Sequence, residues 1–289
     1  MRSLISEFSY GFALTHEFVL SLGSLIAAPV FPSLIEEGKA GGGYDVKLEA
    51  PGLPLFLQFK RSERLVRGTA REIKAGAPLS VPFYRMALTA RKDSNQHDML
   101  IELDLAPNVV FYAAPMFHMK DEFDAAFLNG QVRARSFFVS PAAIGAFADD
   151  GAHYLSFDGN TCVVMSEPKV VPALGASELE ALLAKRLIKE DRPLRDTVTA
   201  AIAEVEGARE RVRRAVKSRD EFEGVAYIDD RSGVNGIEAF ARRQSAALPQ
   251  AKAPIASDPD MEPLRRLADI GLREFNAQLY IIQFAGPQK

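Results

Sequence analysis

The chain reads as a mixed α/β protein, of the α/β or α+β type, on three observations. Short apolar segments rich in β-branched and aromatic residues, such as LPLFLQFK at 53–60 and NVVFYAAP at 108–115, are interspersed with amphipathic stretches of helical period. Turn-forming Gly and Pro separate these segments. The composition shifts near Pro168–Gly175, and over Ser177–Arg219 Ala, Leu, Glu, Arg and Lys dominate, a composition that favours helices. With 289 residues, 47% of them hydrophobic and 25% charged, there is apolar material for a sizeable core. The length suits two units, since a domain usually runs to about 100–200 residues.

Leu4–Leu22 is predicted as a helix, because Leu4, Ile5, Phe8, Phe12, Val19 and Leu22 recur at three-and-four spacing and form a stripe that should pack on the core. A Pro-interrupted stretch, Ala27–Glu37, leads into GKAGGG, whose glycines suit a tight turn. Tyr44–Glu49 and Leu53–Lys60 are predicted as strands joined through Ala50-Pro51-Gly52, and so as a hairpin. Asp98–Leu105 reads as the end of a helix, Asn108–Pro115 as a buried strand and Lys120–Phe127 as a helix. Strands are expected at Ser136–Val139, His153–Phe157 and Thr161–Met165, the last two joined at Gly159-Asn160. After Pro168–Gly175, Ser177 and Glu180 form a capping-box pattern, and Ser177–Arg219 reads as two helices or one kinked at Pro193. Leu248–Pro259 reads as a linker and Glu262–Phe284 as a final helix.

Net charge is −3 and the pI is near 5.9, so any phosphate-binding surface must come from local clustering of Lys and Arg. The one cysteine, Cys162, has no partner for an internal disulfide, which suits a reduced, cytoplasmic setting. Glu7 interrupts the N-terminal apolar run before a secretion signal could form, and Leu20–Ile35 is too broken by Ser, Gly and Pro to span a bilayer. The four histidines show no metal-ligand spacing.

In the expected hairpin, Asp45 begins one strand and Gln58-Phe59-Lys60 ends the next, so Asp45, Gln58 and Lys60 would converge at one sheet edge. Gln58 and Lys60 share a face, while Leu57 and Phe59 take the other. Metal-assisted phosphodiester cleavage needs oxygen ligands for Mg²⁺ or Mn²⁺ and a cation near the attacking water. Asp45 and the Gln58 carbonyl would be the ligands, and Lys60 would orient water and stabilise developing charge. Gln supplies no charge, so a further carboxylate is expected. Glu7 lies at the edge of the apolar stripe and is preferred to Glu17, which falls away from it.

GGYDVKL followed by PLFLQFKRSE resembles the PD-(D/E)XK nuclease superfamily, particularly its Mrr-like branch with a QxK motif. The resemblance covers Leu4 to about Met165. It implies a restriction-endonuclease-like core, with a central mixed sheet flanked by helices, over residues 1–170, and leaves 171–289 as a helical accessory or oligomerisation region. It assigns Asp45, Gln58 and Lys60 to the motif, with Glu7 as the glutamate of the first helix. No Pro precedes Asp45, and Gln stands where an acid is usual. Lys47, Arg61, Arg64 and Arg67 are the expected nucleic-acid contacts. The function implied is a Mg²⁺- or Mn²⁺-dependent endonuclease, acting on DNA in restriction or anti-phage defence. Its C-terminal helices would dimerise or dock a defence-system partner. The competing expectation is an inactive, endonuclease-like subunit that binds nucleic acid or scaffolds a complex.

Overall fold

The computed structural model describes residues 3–20, 22–31, 46–104, 108–165, 168–223 and 261–285. Its centre is a five-stranded mixed sheet in the order β1 (Leu25–Val30), β10 (Gln278–Phe284), β2 (Leu53–Phe59), β5 (Val109–Pro115) and β6 (Ser136–Val139). Only β2 and β5 are parallel neighbours; the other pairs are antiparallel. A parallel pair requires a crossover. Here it runs through β3 (Glu63–Leu65), α2 (Arg71–Lys74), β4 (Phe83–Leu88) and α3 (Gln96–Leu103). The strands β3 and β4 continue into a second, antiparallel sheet with β7 (His153–Phe157), β8 (Cys162–Val164) and β9 (Lys169–Val170).

The near-continuous apolar sequence of β2 follows from its position, because both of its faces are covered. Leu53, Leu55 and Leu57 pack with Tyr10, Leu14 and Phe18 of α1 (Glu7–Leu20) and with Leu179, Leu183 and Leu187 of α6 (Ala176–Lys189). On the opposite face Phe56 joins α3, α7 (Leu194–Glu223), α8 (Glu262–Phe275) and the inner side of the second sheet. Each such buried Leu or Phe stabilises the fold by roughly 1.5–3 kcal/mol.

Two glycines let helices come close to β2. A Cβ on Gly11 of α1 would lie 2.5 Å from the Phe59 ring, and one on Gly271 of α8 would lie 2.9 Å from the Phe56 ring. The first contact seats α1 so that its N-terminal turn, with Glu7, stands at the C-terminal end of β2.

Several sequence expectations are corrected here. The hairpin is absent: β2 is hydrogen-bonded to β10 and β5, so neither edge is open to residues 44–49. Val46–Ala50 forms a turn instead, with Lys47 bonded through its backbone to the Gln283 side chain and Ala50 accepting from the Leu194 amide. The helical stripe of α1 is rotated: Phe8 and Phe12 are 84% and 61% exposed, whereas Tyr10, Leu14, Glu17 and Phe18 face inward.

The final helix stops at Phe275, where Asn276 takes a left-handed conformation (φ 48°), and the apolar run QLYIIQF becomes β10. The C-terminal region is therefore not purely helical, and a boundary near residue 170 does not divide the sheet, since β10 lies between β1 and β2. The helix cap after Gly175 uses Glu178, which accepts from the Gly175 amide at 2.7 Å, while Glu180 pairs with Arg133. Pro193 separates α6 from α7, as a residue without an amide hydrogen suits a helix start. Among the described residues, no helix is long and apolar enough to cross a membrane.

Candidate active site

The strand β2 delivers Gln58 and Lys60 to the face opposite Leu57 and Phe59, as alternation requires. Gln58 is 1% exposed. Its Nε2 donates to the Phe275 carbonyl at 2.8 Å, one of the helix-end acceptors that α8 cannot satisfy internally. Its Oε1 is buried with no hydrogen-bond partner among the described residues. An orphaned acceptor of this kind costs about 1–3 kcal/mol.

Lys60 follows at the end of the strand, 9% exposed, with its amide bonded to the Ala113 carbonyl at 2.9 Å. Its ammonium lies 5.7 Å from the centre of the Tyr112 ring. Burial holds its pKa below the ordinary lysine value, and the negative charge of Glu7 opposes that shift. The charge of Glu7, on α1, therefore acts on Lys60, at the end of β2.

Behind Lys60, Tyr112 is fixed by a buried relay. His97 Nε2 lies 2.9 Å from the Gly145 carbonyl, which can only accept, so that nitrogen carries the proton. In the neutral ring Nδ1 is then an acceptor, and the Tyr112 hydroxyl donates to it across 2.8 Å. Burial depresses the His97 pKa and raises that of Tyr112, keeping both neutral.

Glu7 also lines a cavity of about 280 Å³ between the start of α1 and the second sheet, with Arg61, Glu63, Arg85 and Tyr154. Glu63 and Arg85 face each other as register partners in β3 and β4. The β3–β4 pairing brings Glu63 and Arg85 into this site, and that pairing was not evident from the sequence. Glu63 stood three residues beyond Lys60 in KRSE; Arg85 is placed only by a sheet that local patterning did not reveal.

Asp45 lies outside the described residues. Val46 and Lys47, which follow it directly, sit at the N-terminal end of β2 beside Gln283, about 26 Å along the strand from Lys60 at about 3.3 Å per residue. Lys47 is therefore not a neighbour of Lys60. Of the other expected nucleic-acid contacts, Arg61 reaches the cavity, Arg64 is ion-paired with Glu122 at 3.6 Å, and Arg67 is exposed in the loop before α2. Glu17 is structural: its two carboxylate oxygens accept from the Val132 and Arg133 amides, each at 2.8 Å. On α7, Arg209 pairs with Glu274 and Arg211 with Glu102.

Among the described residues no three His, Cys, Asp or Glu side chains cluster as a metal cage. Magnesium, however, is usually held by one or two carboxylates together with waters and substrate phosphate. Two carboxylates, Glu7 and Glu63, line the cavity and are the residues there that could hold such an ion. Gln58 donates to Phe275 through Nε2 and leaves Oε1, the atom expected on the metal, without a partner among the described residues; neither Gln58 nor Lys60 lines that cavity. No family model, no curated protein and no solved structure matches the chain.

Proposed function

We propose that the protein is a metal-dependent nuclease of the PD-(D/E)XK type, cleaving DNA as an effector in bacterial defence. The observation that carries this reading is Lys60 itself: a lysine buried at the end of a central strand, its pKa lowered by burial, with the charge of Glu7 on the first helix acting on it. The mixed sheet flanked by helices, with β2 and β5 parallel, is compatible with a restriction-endonuclease-like core. A divalent cation held by Glu7 and Glu63 would supply Lewis-acid polarisation of the phosphodiester. Lys60, more readily deprotonated than an exposed lysine, positions the attacking water and offsets charge that builds on the phosphorus oxygens. Gln58 fixes the end of β2 against α8, and with it the placement of Lys60.

The second reading, an inactive endonuclease-like scaffold, is favoured by one observation: residues 46 and 47 are at the wrong end of β2 to bring the motif aspartate's neighbourhood to Lys60. One experiment separates the two. Wild type and Lys60→Ala are incubated with supercoiled plasmid, linear duplex, single-stranded DNA and RNA, each with Mg²⁺, Mn²⁺ or EDTA. Metal-dependent cleavage by wild type that is lost in Lys60→Ala supports the nuclease. Cleavage by Lys60→Ala at the wild-type rate removes the proposed mechanism, and no cleavage of any substrate favours the scaffold.

A further inference from the structure

The carboxylate of Glu72, in α2, is 2% exposed, yet it is not placed among apolar groups alone. Its Oε1 accepts from Arg85 Nε at 2.7 Å and Nη2 at 2.5 Å, and from the Ser156 hydroxyl at 3.2 Å. Its Oε2 is buried without a partner among the described residues. Burying an ion pair is a poor source of stability, because desolvation of both charges offsets their attraction. What the pair does determine is orientation. Arg85 is gripped on one edge of its guanidinium, through Nε and Nη2, and its carbon lies 5.7 Å from the Tyr154 ring centre. Arg85 lines the cavity that Glu7 and Arg61 also line.

We infer that this cavity is a phosphate subsite, in which Arg85, held by Glu72, joins Arg61 in binding a backbone phosphodiester of the nucleic acid beside Glu7. The inference rests on the nuclease reading for the identity of its ligand. A planar guanidinium with one edge tethered keeps a second pair of N–H groups in a fixed fork, which matches the geometry of a phosphate's paired oxygens where an ammonium does not. Glu7 and Glu63 line the same cavity and repel an anion, so the phosphate is held there more firmly when a divalent cation screens them. Arg85 is a binding residue in this scheme, and Glu72 a positioning residue that acts through it.

The test is binding of fluorescein-labelled single- and double-stranded oligonucleotides to the full chain, read by anisotropy in EDTA and in Ca²⁺ over a series of salt concentrations. Arg85→Gln is expected to weaken binding about tenfold or more and to lower the slope of log K against log salt by close to one contact, about 0.7–0.9. Arg85→Lys should recover the salt slope but only part of the affinity, because the fork is lost. Arg85→Gln leaves the Glu72 charge buried without its partner, so the double variant Glu72→Gln/Arg85→Gln, which removes both charges, is measured beside it, with folding checked by circular dichroism. Glu72→Gln alone should weaken binding several-fold while leaving the salt slope unchanged. Wild-type affinity and slope in the folded double variant would overturn the subsite, even if the protein cleaves DNA. Loss of binding in that variant, in a protein that cleaves nothing with Mg²⁺ or Mn²⁺, would support the subsite and reject the nuclease. Wild type that binds neither oligonucleotide under any condition would overturn both.

Discussion

Gln58 and Phe275, 217 residues apart in the chain, are joined by a hydrogen bond of 2.8 Å from the glutamine amide to the last carbonyl of α8. The bond ties the strand that carries Lys60 to a helix that arrives from the far end of the sequence. Its effect on stability can be isolated. Gln58→Leu removes the donor but also the orphaned Oε1, so a net loss of about 1 kcal/mol is expected from urea denaturation. Gln58→Glu should cost more at pH 7, because an ionised carboxylate cannot donate to Phe275, and the gap between the two variants should narrow near pH 4, where a neutral acid can. Equal stability of Gln58→Glu and wild type at pH 7 would show that the bond contributes nothing.

Lys60 makes stability depend on alkaline pH. Its folded pKa is lowered by burial, so between that value and the ordinary 10.5 the unfolded chain binds the proton that the folded chain has released. The contribution of this group therefore rises with pH across that window. Lys60→Met, which keeps the stem and removes the charge, should lack the rise and be at least as stable as wild type at pH 7, while losing cleavage. Parallel unfolding curves for the two proteins from pH 7 to pH 10 would contradict the placement of the ammonium.

Gly11 permits α1 to lie against β2, since a Cβ there would come 2.5 Å from Phe59. Gly11→Ala gains up to about 1 kcal/mol of helix propensity, and overpacking costs about 1–3 kcal/mol, so a net loss is expected. Phe59→Leu should relieve it, giving a favourable coupling between the two sites in a double-mutant cycle. Because Glu7 is on the same helix, Gly11→Ala should also reduce cleavage more than its stability loss accounts for. Additive effects of the two substitutions would mean that the contact does not constrain α1.

His97 predicts a loss of stability in acid. The folded ring stays neutral where the unfolded ring, with a pKa near 6.5, takes up a proton, so stability falls as pH drops below that value. His97→Gln should be less stable than wild type at pH 7.5 but show a flatter decline to pH 5, measured as melting temperature. Tyr112→Phe should cost about 1–2 kcal/mol at pH 7.5, because His97 Nδ1 then loses its donor. An unchanged acid slope in His97→Gln would move the titration to another group.

Local patterning located the strands 136–139 and 153–157 and the apolar character of 53–60, because those segments carry their burial in their own composition. It failed where tertiary contacts decide. On α1, large side chains such as Phe8 and Phe12 outweigh Gly11 and Ala13 in any count of hydrophobicity, yet the small residues face the sheet because they allow closer approach. The run QLYIIQF was read as a continuation of a helix although Asn276 already marked its end. Of the candidate site, Glu7 and Lys60 were legible from the motif order. Glu63 and Arg85 were not, since their meeting depends on the register of β3 against β4, and Glu72 depends on a further turn of helix.

The position of β10 bears on how the protein is made. Residues 278–284 fill the slot between β1 and β2, so on the ribosome both early strands wait with exposed edges until more than two hundred further residues have been delivered. Lys60 and Glu7 are synthesised early, but the strand that carries Lys60 gains its second neighbour, and Gln58 its anchor, only near the end of translation. A chain broken off before β10 would carry Glu7, Gln58 and Lys60 without the strand that completes the sheet around them.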